Sequence, residues 1–192
     1  MKTFKISLNY ASPLLMHSTK GVDPLNPISK ELKKITSKRT KTDEDHMAMA
    51  ALDFRLGAYY EEGLGFYLPA EMVEACIREG CKANKNGTKA KVAIFVNEEK
   101  IKLQHDGPDT LEEAYQQPDM KDVRIVTVNN SKILRCRPRF NRWAVEFTLD
   151  LDETILNPEE LIQAIDIAGK QKGLGDYRPR YGRFSAKVEE IA

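Results

Sequence analysis

Apolar and polar residues alternate over Phe4–Tyr10 and again over Trp143–Leu149. A period of two puts every second side chain on one face, so both stretches predict half-buried strands. Trp143 and Phe147 fall on the same face of the second and read as core. A helical period appears in three other places. Thr42 followed by Asp43, Glu44 and Asp45 reads as an N-cap with an acidic first turn, and Met47, Ala50, Ala51, Phe54 and Ala58 follow at helical spacing. Pro69 marks the first turn of the next helix, with Met72, Val73, Cys76, Ile77 and Cys81 as its stripe. Asn157-Pro158-Glu159-Glu160 combines an N-cap, a proline at the first helical position and a glutamate two residues on. Leu161, Ile162, Ile165 and Ala168 form that helix's inner face, and Gly169 or Gly173 ends it.

Shorter signals fill the intervals. Lys91–Val96, Val123–Val128, Lys132–Arg137 and Tyr181–Val188 read as strands, with Asn129-Asn130-Ser131 as a tight turn between the second and third. Val22–Pro27 is a loop, and 28–41 is a short helix followed by a mobile, lysine-rich arm. The acidic stretch 98–122 reads as a peripheral connection. Setting aside an insertion at 20–65 and that connection leaves β-α-β, further strands, then α-β. This is the order of an α+β, ferredoxin-like fold. Its antiparallel sheet would carry two packed helices, with a hairpin before the third core strand and a helical insertion after the first. The expectation is one domain over residues 1–192, with 20–65 as its thumb- or lid-like insertion.

Composition narrows the class. An apolar content of 41% supports a core. No apolar run approaches the ~20 residues that cross a bilayer, and the first residues hold no signal-peptide core. These features predict a cytoplasmic protein with no membrane contact. Three cysteines without a CxxC spacing predict reduced thiols. The net charge of +1 hides segregation. Basic residues crowd 20–41, acidic ones 43–79, and Arg135, Arg137, Arg139 and Arg142 lie together with no acid between them. Such a chain can present a polyanion-binding face despite overall neutrality.

The chemistry concentrates between Gly173 and Phe184. Gly173, Gly175 and Gly182 let backbone approach a ligand, Arg178, Arg180 and Arg183 offer planar donors to phosphate, and Tyr177 and Tyr181 offer faces to bases. In an extended strand Arg135, Arg137 and Arg139 share a face that could follow phosphates, or could protect an edge strand by charge. Tyr181 reads as a stacking platform or as packing under the sheet. Lys33, Lys34, Lys38 and Arg39 could close over a bound strand. His17, just past the first strand, is the candidate general acid/base if the protein cleaves RNA. No histidine, cysteine or acidic spacing suggests a metal, and no motif suggests a cofactor.

A ferredoxin-like module whose last helix runs into a glycine- and arginine-rich loop before the final strand resembles the RAMP superfamily, the repeat-associated proteins of CRISPR effector complexes. The residues that carry the resemblance are Gly173–Phe184 and Ser12-Pro13-Leu14-Leu15-Met16-His17. The same two segments are similar to those of a group of uncharacterised bacteriophage proteins. The RAMP resemblance implies that the glycine loop touches an RNA backbone and that 20–65 forms a thumb or lid. The resulting expectation is a non-enzymatic binder of single-stranded nucleic acid, RNA ahead of DNA. The alternatives are a metal-independent RNA endonuclease using His17, and a protein-interaction module such as a phage inhibitor of a host defence complex. Expected partners are single-stranded nucleic acid, further copies along a strand, or a host protein complex.

Overall fold

The computed structural model describes residues 1–128 and 130–191. In chain order its elements are β1 (Lys2–Tyr10), β2 (Leu14–Leu15), α1 (Pro27–Thr36), α2 (Asp43–Gly57), β3 (Tyr60–Glu61), β4 (Gly65–Pro69), α3 (Ala70–Lys82) and α4 (Gly87–Ala93). There follow β5 (Ile94–Val96), β6 (Lys100–His105), α5 (Leu111–Gln116), β7 (Lys121–Val128), β8 (Ser131–Phe140), β9 (Trp143–Leu151), α6 (Pro158–Ile167) and β10 (Phe184–Glu190).

Four strands make the centre of an antiparallel sheet, in the order β10-β1-β9-β5. With α3 before β5 and α6 before β10, this is the ferredoxin-like arrangement. The alternation in β1 and β9 carries it. Ile6 lies opposite Phe147 and Leu8 opposite Val145, and all four are buried. Helices α3 and α6 lie side by side, and Val73, Ile77, Leu161 and Ile165 join the strands' inner faces in one apolar cluster. Both caps on 42 and 157 form as reciprocal boxes, with Asp45 and Glu160 returning a bond to the cap backbone.

Several expectations are corrected by the structure. The stretch 98–122 is not peripheral. It contains β6, which continues the line of β5 along β9 and buries Ile101 and Leu103. In the gap between β5 and β6, the Glu98 carboxylate accepts from the Thr148 backbone N–H at 2.9 Å, replacing a missing ladder bond. Beyond β6 the sheet extends through β4 to β3. The segment 91–96 is a strand only from Ile94, because Gly87–Ala93 is helical and buries Ala90 and Ala93. Met47 and Ile162 face solvent; α2 buries Phe54 as expected, with Ala58 just past its end, and adds Leu52 and Leu56, and α6 adds Ala164. The short helix expected at the start of 28–41 does form, as Pro27–Thr36, capped by the Asn26 side chain and packed on α2. Lys38, in the turn after it, is paired with Asp45 at 2.6 Å. The expected turn at 129–131 includes Asn129, which lies outside the described residues.

Strands β7 and β8 form the hairpin expected before the third core strand, and β8 also pairs with β2. No helix is long and apolar enough to cross a membrane among the described residues. The three thiols are free and buried. Burial pushes Cys76 up to about 12 and Cys81 and Cys136 up to about 11.

Candidate nucleic-acid interface

Helix α6 does not stop at a simple cap. Its last turn widens over Ala168–Lys172, and the Gly173 N–H donates to the Ala168 carbonyl at 2.9 Å. Gly173 then turns the chain with φ +75°. Its carbonyl accepts from the Cys76 thiol at 3.2 Å, which ties the start of the loop to α3. Leu174 is wholly buried and anchors the next step.

The loop is laid against 11–15 by backbone bonds. Gly182 N–H donates to the Pro13 carbonyl at 2.7 Å, and Asp176 N–H to the Leu15 carbonyl at 2.8 Å. The Ala11 and Ser12 N–H groups donate to the Arg183 carbonyl, and the Ser12 hydroxyl accepts from Arg183 N–H at 2.9 Å. At Gly175, φ is +74° and a Cβ would fall on the Leu15 carbonyl oxygen. Only glycine meets both demands. The Pro13-Leu14-Leu15 run and the glycine loop are thus one unit in space, although some 160 residues separate them.

That root leaves a displayed tip. Tyr177, Arg178, Pro179 and Arg180 are exposed, Tyr181 is half-buried and Arg183 is exposed. The Tyr177 and Tyr181 rings meet edge to face, 6.0 Å between centroids. Arg124 of β7 lies over both, 4.7 Å from the Tyr177 centroid and 5.2 Å from that of Tyr181, and donates to the Tyr181 hydroxyl at 2.8 Å. Arg124 is itself held on two nitrogens by the buried carboxylate of Asp122, which drives the guanidinium pKa further up. Beside the tip lies an open polar cavity of about 510 Å³, bordered by Lys172, Asp176, Arg178 and Glu79.

The remaining candidate arginines divide. Pairing places Arg135 opposite Arg124 and Arg137 opposite Asp122, so the odd-numbered face of β8 does turn toward this cluster. Arg137 is only 8% exposed and pairs with Asp176 of the loop at 3.0 Å. It therefore braces the loop from below. Arg135 is drawn toward α2 by Asp53 at 2.8 Å. Arg139 borders a separate polar cavity of about 330 Å³ with Asp106, Asp119 and Asn141. Arg142 is exposed in the turn between β8 and β9. Lys33, Lys34, Lys38 and Arg39 are exposed on α1 and the turn after it, and Lys33 borders a cavity other than the loop's. His17 is exposed after β2. His105 is buried between Phe66 and Phe140, and burial lowers its pKa.

Sequence reading missed Asp122, Arg124 and Asp176. Asp122 and Arg124 alternate along a strand opposite two named arginines, so the pairing register of β7 with β8 was the signal for them. Asp176 lay inside the glycine run and carried no signal of its own. Among the described residues no group of three or more histidine, cysteine or acidic side chains is placed to hold a metal ion.

No family model matches the chain. No curated protein matches it in sequence. Among solved structures it is similar to a chain in the cryo-EM structure of a type III-B Cmr-beta complex bound to cognate target RNA. The identity is 12% and the TM-score 0.59, and the match covers 99% of this chain. The chain spans 60% of that neighbour's length. The likeness is one of fold and agrees with the ferredoxin-like assignment.

Proposed function

We propose that this protein binds single-stranded nucleic acid, RNA in preference to DNA, without cleaving it. The observation that carries this reading is the loop's division of labour. Its glycines and Asp176 are used to fix it on β2 and β8, while Tyr177, Arg178, Arg180 and Arg183 are left displayed. Exposed arginines around a tyrosine pair supply charge for a backbone and a face for a base. Likeness in fold to a chain from an RNA-bound complex supports the same reading. Arg139, Arg142 and the α1 lysines Lys33 and Lys34, with Lys38 and Arg39, would add long-range attraction, and Arg135 and Arg137 would act from beneath.

The reading includes a RAMP-like protein of phage type, acting in the bacterial cytoplasm either along a strand with other copies or on a host complex. It assigns no catalytic role, because charge, stacking faces and a fixed loop suffice for binding, and the loop's one carboxylate, Asp176, is paired with Arg137. The runner-up keeps His17 as an acid/base for RNA cleavage, and its exposure beside β2 favours that variant only if cleavage is seen.

The test is fluorescence anisotropy with labelled 20-nucleotide single-stranded RNA, single-stranded DNA and duplex RNA across a salt series. Affinity is expected for single strands and should fall steeply with salt, about 0.7 log units per log unit of salt for each phosphate neutralised. Absence of binding at micromolar protein and low salt refutes the proposal. RNA cleavage abolished by His17→Ala replaces it with the nuclease.

A further inference from the structure

Strand β8 has an unfinished edge. One side pairs with β7 over eight positions, but only the last two residues of the other side meet β2. The Cys136 N–H donates to Asp53 Oδ2 at 2.8 Å, and the Pro138 carbonyl accepts from Met16 N–H at 3.0 Å. These bonds set the alternation: main-chain groups of the even-numbered residues point away from β7. Pro138 obeys it, since its missing N–H falls on the outer side. By the same alternation the N–H and C=O of Lys132 and Leu134 point outward. Among the described residues, nothing outside the β7 ladder bonds them.

This edge opens on a groove. A cavity of about 500 Å³ lies between β8 and the layer made by α1 and α2. Its apolar walls are Val22, Leu32, Met49, Ala50, Ile133 and Leu134. Val22 is 82% exposed and Leu134 55%. Leu134 also continues an apolar face of the hairpin, since Val123 and Ile125 lie on the same side and are 55% and 67% exposed. Lys30 and Lys33 border the groove, as does His46. Its one carboxylate, Asp53, is already engaged by Arg135 and by the Cys136 N–H.

We propose that an extended segment of a partner protein docks here. Its backbone adds as a strand to the outer edge of β8 at Lys132–Leu134. One apolar side chain fills the space between Leu32 and Leu134, and a neighbouring carboxylate reaches Lys30 and Lys33. Three features choose this occupant. Outward N–H and C=O groups at strand spacing match a peptide backbone, which supplies both in alternation. Apolar walls disfavour a phosphate chain. The rim's unmatched charge is positive and selects acidic residues. Lys33 is also named in the nucleic-acid reading, so the test separates the two ligands.

A random octapeptide display library is selected on the immobilised full chain, and the enriched peptides are made with a fluorescent label. Enrichment of apolar residues at alternate positions beside Asp or Glu is expected. Leu134→Pro removes the outward N–H and leaves the inner ladder intact, so it should weaken the peptide about tenfold. Lys30→Glu with Lys33→Glu, both on exposed positions, should weaken it by a comparable factor even if the proline variant fails to fold. A 20-nucleotide single-stranded RNA should leave the bound peptide in place. No enrichment, equal binding to both variants, or displacement by RNA overturns the proposal. So does a wild-type dimer in sedimentation that Leu134→Pro makes monomeric, because a second copy would then be the occupant.

Discussion

Replacing Gly175 by alanine tests whether the glycine loop is clamped on β2 or merely lies near it. Two penalties add at this position. A residue with a Cβ held at φ +74° loses about 1–2 kcal/mol. The new methyl would also strike the Leu15 carbonyl oxygen, with the Leu14 side chain 2.8 Å away, so the backbone must part. Parting breaks the bond from Asp176 N–H to Leu15, which costs about 1 kcal/mol, and it draws Asp176 away from the buried Arg137. The total is about 3 kcal/mol or more. For a domain of this size that corresponds to a fall in Tm of roughly 6–12 °C. Gly63→Ala is the control. Gly63 has φ +85°, but a methyl group there would meet nothing within 4 Å, so it carries only the strain of about 1–2 kcal/mol. Thermal unfolding followed by circular dichroism compares the two. If Gly175→Ala lowers Tm no more than Gly63→Ala does, the loop is not clamped at its root.

Other perturbations probe separate parts. Arg178→Ala with Arg180→Ala should leave Tm almost unchanged, since both side chains are exposed, while lowering the RNA salt slope by up to about 0.7 for each phosphate no longer neutralised; a folded double variant that binds like wild type contradicts the interface. Asp53→Ala leaves the Cys136 N–H and half-buried Arg135 without their partner, and a urea titration should show a loss of about 2–3 kcal/mol, whereas a loss under 0.5 kcal/mol, about the effect of an ordinary surface substitution, would mean that α2 is held by apolar packing alone. Burial lowers the His105 pKa from 6.5, so the unfolded chain takes up its proton first: the folded state is most stable above about pH 6.5 and loses stability as pH falls toward the depressed value. His105→Phe should shrink the difference between urea midpoints at pH 7.5 and 5.5, and an unchanged difference would assign the acid sensitivity elsewhere.

The order of elements was readable in the chain because its signals are local. Alternation in 4–10 and 143–149 and the caps at Thr42 and Asn157 depend on neighbours a few residues away, and each stands where the pattern placed it. The stripes on α2 and α6 were less secure. Met47 and Ile162 are apolar residues at helical spacing that nothing covers, because which side of a helix is buried depends on what packs there. The strand β6 stayed hidden inside an acidic stretch, since only Ile101 and Leu103 need be apolar when one face is solvated.

For the candidate interface, residue types alone singled out Gly173–Phe184, because glycine, arginine and tyrosine are rarely gathered without a backbone or ligand demand. Tertiary structure decided which of them are free. Arg137 and Arg178 are indistinguishable as letters, but one is buried and paired with the Asp176 carboxylate while the other is exposed. That difference arises from Asp176, which reaches Arg137 only through the fold of the loop, just as Asp122 holds Arg124 over the tyrosines. A charge's role depends on the counter-charge within a few ångströms, and pairing across such sequence distances is set by the packed sheet.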